Sequence, residues 1–522
     1  MQKQNHNMRT ERKSSIKNSA TRLILIALLV LIQTGWMIVL MSKLNTYSTA
    51  ITLIMTCIAV IIALKVFGTH VNSAQRMPWL IVITAVPFFG ICIYLLFGRS
   101  IVTKGMRRRF NGIEADILKN KLKQDEQIIK ELEQKDPGIA NQCRYISNTA
   151  KYPVYKNTDM EYYNTALESF EAQLWELSKA EKFIFMEYHA IEDAISFERL
   201  KKVLIDKAKN GVEVRIFYDD LGSIFFLNKE FIKRMRDEGI QCRVFNPLKV
   251  IVNMFMNNRD HRKITVIDGK VGFTGGYNLA DEYFNLTSPY GHWKDTGFRL
   301  TGAPVRSFTH MFLTFWNAFS LQKEEPMPMP PAAAAAEPAA QDGWVLSYYD
   351  SPLNSEATSN RLYIDLLSQA TDYAWFFTPY LMLGDDLLDA MLAAAQRGVD
   401  VRIIMPGIPD KKLIFRMSRS FYQVLLTGGV KIYEYTPGFV HAKSLVCDDR
   451  AATVGTVNLD YRSLFLHFEN NSLFYRGSIV ARVKEDFLAT QSQCRAVEAC
   501  DMKRYSRRWI IDGVLRIFAP LC

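Results

Sequence analysis

Apolar residues fill three long stretches near the start of the chain. These stretches cover residues 23–41, 50–67 and 78–97. About 20 consecutive apolar residues suffice to cross a bilayer as a helix. Pro87 and Gly90 fall within the third stretch, where a membrane helix tolerates them. The pattern predicts a membrane anchor over residues 1–110, with these stretches as candidate spans.

Basic residues flank the apolar stretches on both sides. One cluster lies within residues 3–22 and another within residues 99–109. Basic clusters favour the cytoplasmic side of a membrane. An odd number of crossings cannot place both clusters there, so the number and orientation of the crossings stay open. We expect the large C-terminal part to lie on the cytoplasmic side of the cell membrane.

Two further segments have a charged helical pattern. Residues 111–139 mix Lys, Glu, Gln and Asp with Ile and Leu, which predicts an exposed helical connector. Residues 501–522 form a basic tail with interleaved apolar residues. Such a tail either lies in the membrane interface or packs as an ordinary C-terminal helix.

Between these segments, short apolar strands alternate with amphipathic helices, and the order occurs twice. The first copy comprises residues 181–189, 197–211 and 212–220, and the second comprises residues 371–380, 385–398 and 399–407. A strand, a helix and a second strand in this order predict a parallel β-sheet. The predicted fold is α/β, with N-terminal transmembrane helices followed by two duplicated lobes that share one active site. We place the lobes at residues 140–322 and 343–500, joined by a Pro/Ala-rich linker at 323–342.

Composition narrows the choice of partner. The formal net charge of +11 favours an anionic partner, either nucleic acid or an anionic membrane. The eight cysteines are scattered without a Cys-x-x-Cys pair, which argues against a disulfide scaffold and a zinc site. We expect no metal and no cofactor.

The same five residue types stand at the same spacing in both lobes. Counted from a histidine, a lysine follows at +2, an aspartate at +7, a glycine at +14 and an asparagine at +17. The residues are His261, Lys263, Asp268, Gly275 and Asn278 in the first lobe, and His441, Lys443, Asp448, Gly455 and Asn458 in the second. We call this five-residue pattern the repeated grid. Its two copies lie 180 residues apart in a duplicated chain, which points to shared chemistry.

The motif residues fall into two sets, according to the face of the strand from which each side chain projects. His261 and Lys263 project from one face of a strand, because side chains alternate with a period of two. Asp268 and Asp448, although part of the candidate catalytic motif, have the opposite parity, and we expect them to support a turn. Lysines and asparagines suit the non-bridging oxygens of a phosphate, and two histidines suit a nucleophile and a proton donor. The motif therefore predicts phosphodiester transfer.

The doubled HxKxxxxD motif with its following Gly and Asn resembles the phospholipase D superfamily, whose fold would apply to both lobes. Longer stretches resemble the bacterial cardiolipin synthases within that superfamily. These stretches are residues 79–100, 257–283, 292–302, 378–380, 439–449 and 455–470. The chain departs from the family in its first apolar stretch, in its Pro/Ala linker and at 275–278, where "GGYN" replaces a common Gly-Ser pair.

The resemblance implies phosphatidyl transfer between two phosphatidylglycerol molecules, giving cardiolipin and glycerol through a phosphohistidine. It implies His261 as nucleophile and His441 as acid and then base, although the near-equivalent motifs leave this order open. The residues implied to bind phosphoryl oxygens are Lys263, Lys443, Asn278 and Asn458. Asp295 and Glu469 are implied to orient the histidines, without indicating which acid serves which histidine.

The implied partners are phosphatidylglycerol and anionic membrane lipid. Three alternatives stay open: a membrane-bound phospholipase D that hydrolyses its lipid, a nuclease of the same superfamily, and a non-catalytic lipid-binding membrane protein. The candidate membrane spans argue against a nuclease and against a nucleic-acid partner. Intact histidines and lysines in both copies argue against a non-catalytic protein. The oligomeric state stays open.

Overall fold

The computed structural model describes most of the chain between residues 49 and 498. The gaps within that range are residues 69–72, 96–103, 119–121, 157, 229, 248–257, 320–326, 331–342 and 354–355. Scattered positions between 28 and 43, residue 513 and residues 515–517 are also described. The first predicted span, 23–41, and the predicted tail, 501–522, therefore lie largely outside the described residues.

Helices make up the described N-terminal part. They are α1 (Thr49–Phe67), α2 (Ser73–Ala85), α3 (Pro87–Ile93), α4 (Lys104–Leu118), α5 (Glu126–Lys135) and α6 (Pro137–Thr149). The second predicted span coincides with α1. The third is not one helix, because Pro87 lacks the N–H that would continue α2 and instead begins α3. No helix in the described part of the chain is both long enough and apolar enough to span a membrane.

The first lobe contains a mixed sheet flanked by helices. Two strands in this range, β1 and β8, pair with strands of the other lobe. The elements are β1 (Tyr155–Lys156), β2 (Met160–Tyr163), α7 (Ala166–Ser178), β3 (Phe183–Tyr188), α8 (Ile195–Lys209), β4 (Glu213–Asp219), α9 (Phe231–Asp237), β5 (Gln241–Phe245), β6 (Lys263–Ile267), β7 (Val271–Gly275), β8 (His292–Lys294), β9 (Gly297–Thr301) and α10 (Val305–Ala318). The strand order is β2-β9-β7-β6-β3-β4-β5. Strands β3, β4 and β5 are parallel, as the strand–helix–strand pattern predicts, whereas β6 runs antiparallel to β3.

The second lobe repeats this plan. Its elements are β10 (Gly343–Asp350), α11 (Thr358–Gln369), β11 (Tyr373–Phe377), α12 (Asp385–Gln396), β12 (Asp400–Pro406), α13 (Lys412–Ser420), α14 (Tyr422–Thr427), β13 (Lys431–Tyr435), β14 (Gly438–Val440), β15 (Ser444–Cys447), β16 (Ala451–Gly455), β17 (Glu469–Arg476), α15 (Ser478–Gln491) and β18 (Cys494–Ala496). The strand order is β1-β10-β17-β16-β15-β11-β12-β13-β18. Strand β1 lies in the range predicted for the first lobe but pairs with β10 at the edge of this sheet.

The two sheets share one hydrophobic core. Helix α10 is buried on almost every side, and its Phe315 contacts Phe468 of the second lobe with ring centroids 4.6 Å apart. Phe298 of β9 meets Phe474 of β17 edge to face at 5.1 Å. Because apolar side chains of both lobes fill the same interior, the edges of the two sheets are fixed relative to each other.

Candidate active site

Matched backbone contacts join the lobes on either side of the histidines. Strand β8 runs parallel to β14 and pairs Lys294 with Val440, the residue before His441. An equivalent bridge pairs Phe468 with Asp260, the residue before His261. The His441 N–H donates to Lys294 O at 2.7 Å, and the His261 N–H donates to Phe468 O at 2.9 Å. The residue after each pairing partner, an acid in both cases, therefore lies beside the histidine of the opposite lobe.

Each histidine is hydrogen bonded to an acid of the other lobe. His261 Nδ1 lies 2.9 Å from Glu469 Oε2, and His441 Nδ1 lies 2.7 Å from Asp295 Oδ2. Both carboxylates are fully buried. A carboxylate can only accept here, so it favours the tautomer with the proton on Nδ1 and leaves Nε2 free. The structure thereby identifies the acid that contacts each histidine, which the sequence leaves open.

The two motif lysines are buried beside the histidines. Lys263 Nζ donates to His261 O at 2.6 Å, and Lys443 Nζ donates to His441 O and lies 2.7 Å from His441 Nδ1. Burial lowers the pKa of Lys263 to about 8 and that of Lys443 to about 7, although nearby carboxylates oppose the change. A bound anion would favour the charged form of both lysines.

Both imidazoles favour the neutral form. Burial is the largest cause, and it holds the pKa of His261 well below its usual value, with further lowering by Lys263 and His189. Burial and Lys443 lower the pKa of His441 to about 3, while Asp295 acts in the opposite direction. A neutral imidazole has a free electron pair on Nε2, which is the form that a nucleophile or a base requires.

The motif asparagines lie on the loops that follow β7 and β16. Asn278 donates through Nδ2 to Tyr283 Oη at 2.8 Å and accepts at Oδ1 from the Ala190 N–H. Within the described residues, the buried Oδ1 of Asn458 has no hydrogen-bond partner. Each amide nitrogen carries two donors, so Asn278 retains one beyond its bond to Tyr283.

The motif aspartates do not contact the histidines. Asp268 accepts from the backbone N–H groups of Glu181, Lys182 and Phe183 at 2.8–2.9 Å. Asp448 accepts in the same way from Thr371, Asp372 and Tyr373 at 2.8–3.0 Å. Both aspartates have φ of 53° and lie at the far end of their strands. These contacts suit the supporting role predicted from their parity better than a direct catalytic role, and that role stays a prediction.

The motif glycines lie where neighbouring backbone leaves no room. A Cβ on Gly275 would lie 2.4 Å from Thr296 O, and a Cβ on Gly455 would lie 2.4 Å from Asn470 O. Thr296 and Asn470 directly follow the two acids that contact the histidines. Glycine therefore allows β7 and β16 to approach the acid-bearing strands closely.

Several site residues were missed by the sequence reasoning. His189 lies 4.9 Å from His261 between ring centroids, and His467 lies 5.8 Å away. Tyr283 and Trp293 lie 5.2 Å and 5.3 Å from the His441 ring. None belongs to the repeated grid. The signal available in the sequence is that His189 ends the predicted strand at residues 181–189.

One group of side chains near His261 has donor atoms close enough for a metal ion. Within the described part of the chain, the donor atoms of His261, His467 and Glu469 lie within 4.8 Å of one another. His261 Nδ1 and Glu469 Oε2 are already hydrogen bonded to each other at 2.9 Å. A metal bound through His261 Nδ1 would replace the proton of that hydrogen bond, so this arrangement does not alter the expectation of a metal-independent site.

Buried ion pairs hold the histidine-bearing segments. Arg259 pairs with Asp219 of β4 at 2.7 Å, and Arg262 contacts Glu187 of β3. On the other side, Lys294 pairs with Asp486 of α15 at 2.7 Å and so links the lobes. Buried pairs of this kind fix geometry, because breaking one partner leaves an uncompensated charge.

The fold and the doubled site define a protein of the phospholipase D superfamily. The family described as "Cardiolipin synthase, PLD-like domain" matches residues 174–289 and 363–490, and "Phospholipase D-nuclease N-terminal" matches residues 54–99. A solved phosphatidylserine synthase of Haemophilus influenzae covers 72% of this chain and 99% of its own, with a TM-score of 0.53 and 15% identity. That likeness concerns the fold alone.

Curated relatives narrow the class. An uncharacterized protein of Streptococcus mutans is 39% identical over 88% of this chain and 99% of its own length. Cardiolipin synthase 2 of Bacillus cereus is 34% identical over 89% of this chain and 90% of its own length. The chain belongs to the cardiolipin synthase family, an enzyme family of phosphatidyltransferases.

Proposed function

We propose that the protein makes cardiolipin and glycerol from two molecules of phosphatidylglycerol. The observation that carries this proposal is the pair of buried histidines, each hydrogen bonded through Nδ1 to an acid of the opposite lobe. Family membership supports the substrate class. One histidine with its acid can thus act on each side of a single phosphorus, as an in-line displacement requires.

In the first step, His261 Nε2 attacks the phosphorus of one phosphatidylglycerol. The bond from phosphorus to the glycerol headgroup oxygen breaks, and protonated His441 gives its proton to that oxygen. The negative phosphodiester and the Asp295 carboxylate both favour the protonated form of His441, in opposition to its burial. The products of this step are a phosphatidyl-histidine and free glycerol.

In the second step, the roles reverse at the same phosphorus. His441 removes the proton from a headgroup hydroxyl of the second phosphatidylglycerol, whose oxygen attacks phosphorus. The bond between His261 Nε2 and phosphorus breaks, which yields cardiolipin and restores both histidines. Lys263, Lys443, Asn278 and Asn458 donate to the non-bridging oxygens, where negative charge develops in both transition states.

We also propose that residues 1–110 anchor the enzyme in the cell membrane as a multi-pass segment, with both lobes on the cytoplasmic side. The apolar exposed residues of α1, including Leu53, Ile61 and Leu64, support a lipid-facing surface. A site held at the bilayer meets a high local concentration of lipid hydroxyls. That concentration favours lipid over water as the acceptor.

Vesicles of pure phosphatidylglycerol test the proposal. We expect the detergent-free, membrane-reconstituted protein to form cardiolipin and glycerol, and His261→Ala and His441→Ala each to abolish both products. Formation of phosphatidic acid without cardiolipin would support a hydrolytic phospholipase D instead. Full activity in either histidine variant would refute the paired-histidine chemistry.

A further inference from the structure

Among the positions at which the two repeats differ, two lie beside the acids that contact the histidines. The position 15 residues after the histidine is Gly276 in the first lobe and Thr456 in the second. The position 22 residues after it is Tyr283 in the first lobe and Ser463 in the second. The duplicated site is therefore unequal at these positions.

In the second lobe, both positions place a hydroxyl on Glu469. Thr456 Oγ1 donates to Oε2 at 2.5 Å, and Ser463 Oγ donates to Oε1 at 2.5 Å. The hydroxyls are themselves fixed: Ser463 Oγ accepts from the Asn458 N–H at 2.9 Å, and Thr456 Oγ1 accepts from the Asn470 N–H at 3.0 Å. Each oxygen of this carboxylate thus has a hydroxyl donor, in addition to His261 Nδ1.

In the first lobe, neither position places a hydroxyl on Asp295. A Cβ on Gly276 would lie 2.1 Å from Asp295 Oδ1, so no side chain fits there without moving the acid. Asp295 Oδ1 instead accepts from the Thr296 N–H at 2.9 Å. The Tyr283 hydroxyl accepts from Asn278, and its ring stands edge-on to His441.

Hydrogen bonds donated to a carboxylate favour its ionised form and make it a weaker base. An acid beside a nucleophilic histidine must leave the proton on Nδ1, because a cationic phosphohistidine releases its phosphoryl group more readily than a neutral one. An acid beside a proton-shuttling histidine must instead favour the protonated ring. Glu469, which accepts from two hydroxyls, suits the first task, and Asp295, which accepts from one backbone N–H, suits the second.

We infer that Thr456 and Ser463 are positioning residues that fix the Glu469 carboxylate against His261 Nδ1, and thereby set His261 as the nucleophile and His441 as the acid and base. This inference rests on the proposed two-step transfer. It goes further by giving a physical reason why the two near-identical motifs take different roles.

Thr456→Val, Ser463→Ala and the double variant test the inference. We expect each single variant to lower kcat about tenfold, because a hydrogen bond to a charged group is lost. The double variant should lower kcat further. KM should change less than about twofold in all three variants. Without the hydroxyl donors, more of the carboxylate's negative charge acts on His261 and favours its protonated ring, so the acidic limb of the pH–rate profile should move to higher pH. Thr456→Ser keeps the hydroxyl and should restore kcat and the limb.

Ser472→Ala is the matched control. It removes a buried hydroxyl from the same strand as Glu469, where Ser472 bonds to Ser347 at 2.7 Å, and we expect it to leave kcat and the pH profile unchanged. Thermal unfolding of every variant identifies those that do not fold. If Thr456→Val is one of them, Ser463→Ala, which removes the other hydroxyl on Glu469, carries the test. Folded Thr456→Val and double variants with the wild-type kcat and acidic limb would overturn the inference.

A soluble chromogenic phosphodiester separates this inference from the proposed function. If the wild type cleaves bis(p-nitrophenyl) phosphate but makes no cardiolipin from phosphatidylglycerol, the proposed function fails. The hydroxyl variants can still be compared on the chromogenic diester. A shifted acidic limb there supports the positioning of Glu469 by the hydroxyls, and an unshifted limb refutes it.

Discussion

His441 is hydrogen bonded through Nδ1 to Asp295, an acid that lies 146 residues earlier in the chain and in the other lobe. The reciprocal contact, from His261 to Glu469, makes the arrangement mutual. Neither motif histidine therefore has its hydrogen-bonded acid in its own lobe. We expect catalysis to depend on the contact between the lobes as much as on the motif.

Removal of either acid should impair catalysis more than stability. We expect Asp295→Ala and Glu469→Ala to lower kcat by about 10²–10⁴-fold, the typical contribution of a positioned acid–base group, because the histidine loses its tautomer and orientation. Steady-state transfer on phosphatidylglycerol vesicles measures this loss. Glu171→Gln, which breaks an exposed ion pair with Arg199 in the same lobe, is the control and should keep wild-type kcat. Wild-type kcat in both acid variants would contradict the pairing.

The covalent intermediate should form on His261. We expect His441→Ala to accumulate a phosphatidyl adduct on His261 when the substrate carries a leaving group that needs no protonation. His261→Ala should give no adduct. The protein is digested without exposure to acid, and mass spectrometry of the peptides identifies the modified histidine. An adduct on His441 in the His261→Ala protein would reverse the proposed order.

Asp268 and Asp448 should be required for stability rather than for chemistry. Asp268→Ala leaves three backbone N–H groups without their acceptor, and we expect a loss of about 2–4 kcal/mol in the free energy of unfolding. Urea denaturation measures the loss. Asp268→Asn keeps one acceptor oxygen and should lose less. If the folded fraction of Asp268→Ala protein has no catalytic activity, the supporting role is wrong.

Burial of Lys443 predicts a pH dependence of stability. Its pKa of about 7 in the folded protein lies below the usual lysine pKa of 10.5, so the unfolded chain binds the extra proton between these values. The unfavourable contribution of the buried charge is complete below about pH 7 and declines as pH rises toward 10. We expect the stability of Lys443→Met, relative to the parent, to fall between pH 6 and pH 10. Lys209→Met, at an exposed position, should show no such trend.

Much of the α/β fold follows from local patterns. The parallel strands β3, β4 and β5 and their counterparts follow from apolar strands alternating with amphipathic helices. The position of Asp268 follows from strand parity. Strand β1 has two residues and no periodicity, so its place at the edge of the second sheet could not be predicted.

The internal geometry of the site depends on long-range contacts. The partner of His261 lies 208 residues away, and no spacing rule relates positions across two lobes. Thr456 falls inside the repeat, but its significance appears only once its hydroxyl is found on Glu469. His189 lies outside the grid and reaches the site through the pairing of β3 with β6.

Transfer and hydrolysis are distinguished most directly by isotope balance. The wild-type protein is incubated with phosphatidylglycerol vesicles in water enriched in oxygen-18, and lipids and glycerol are quantified by mass spectrometry. We predict one glycerol for each cardiolipin formed and no oxygen-18 in any lipid phosphate. Phosphatidic acid that contains oxygen-18, without cardiolipin, would contradict the proposed transfer.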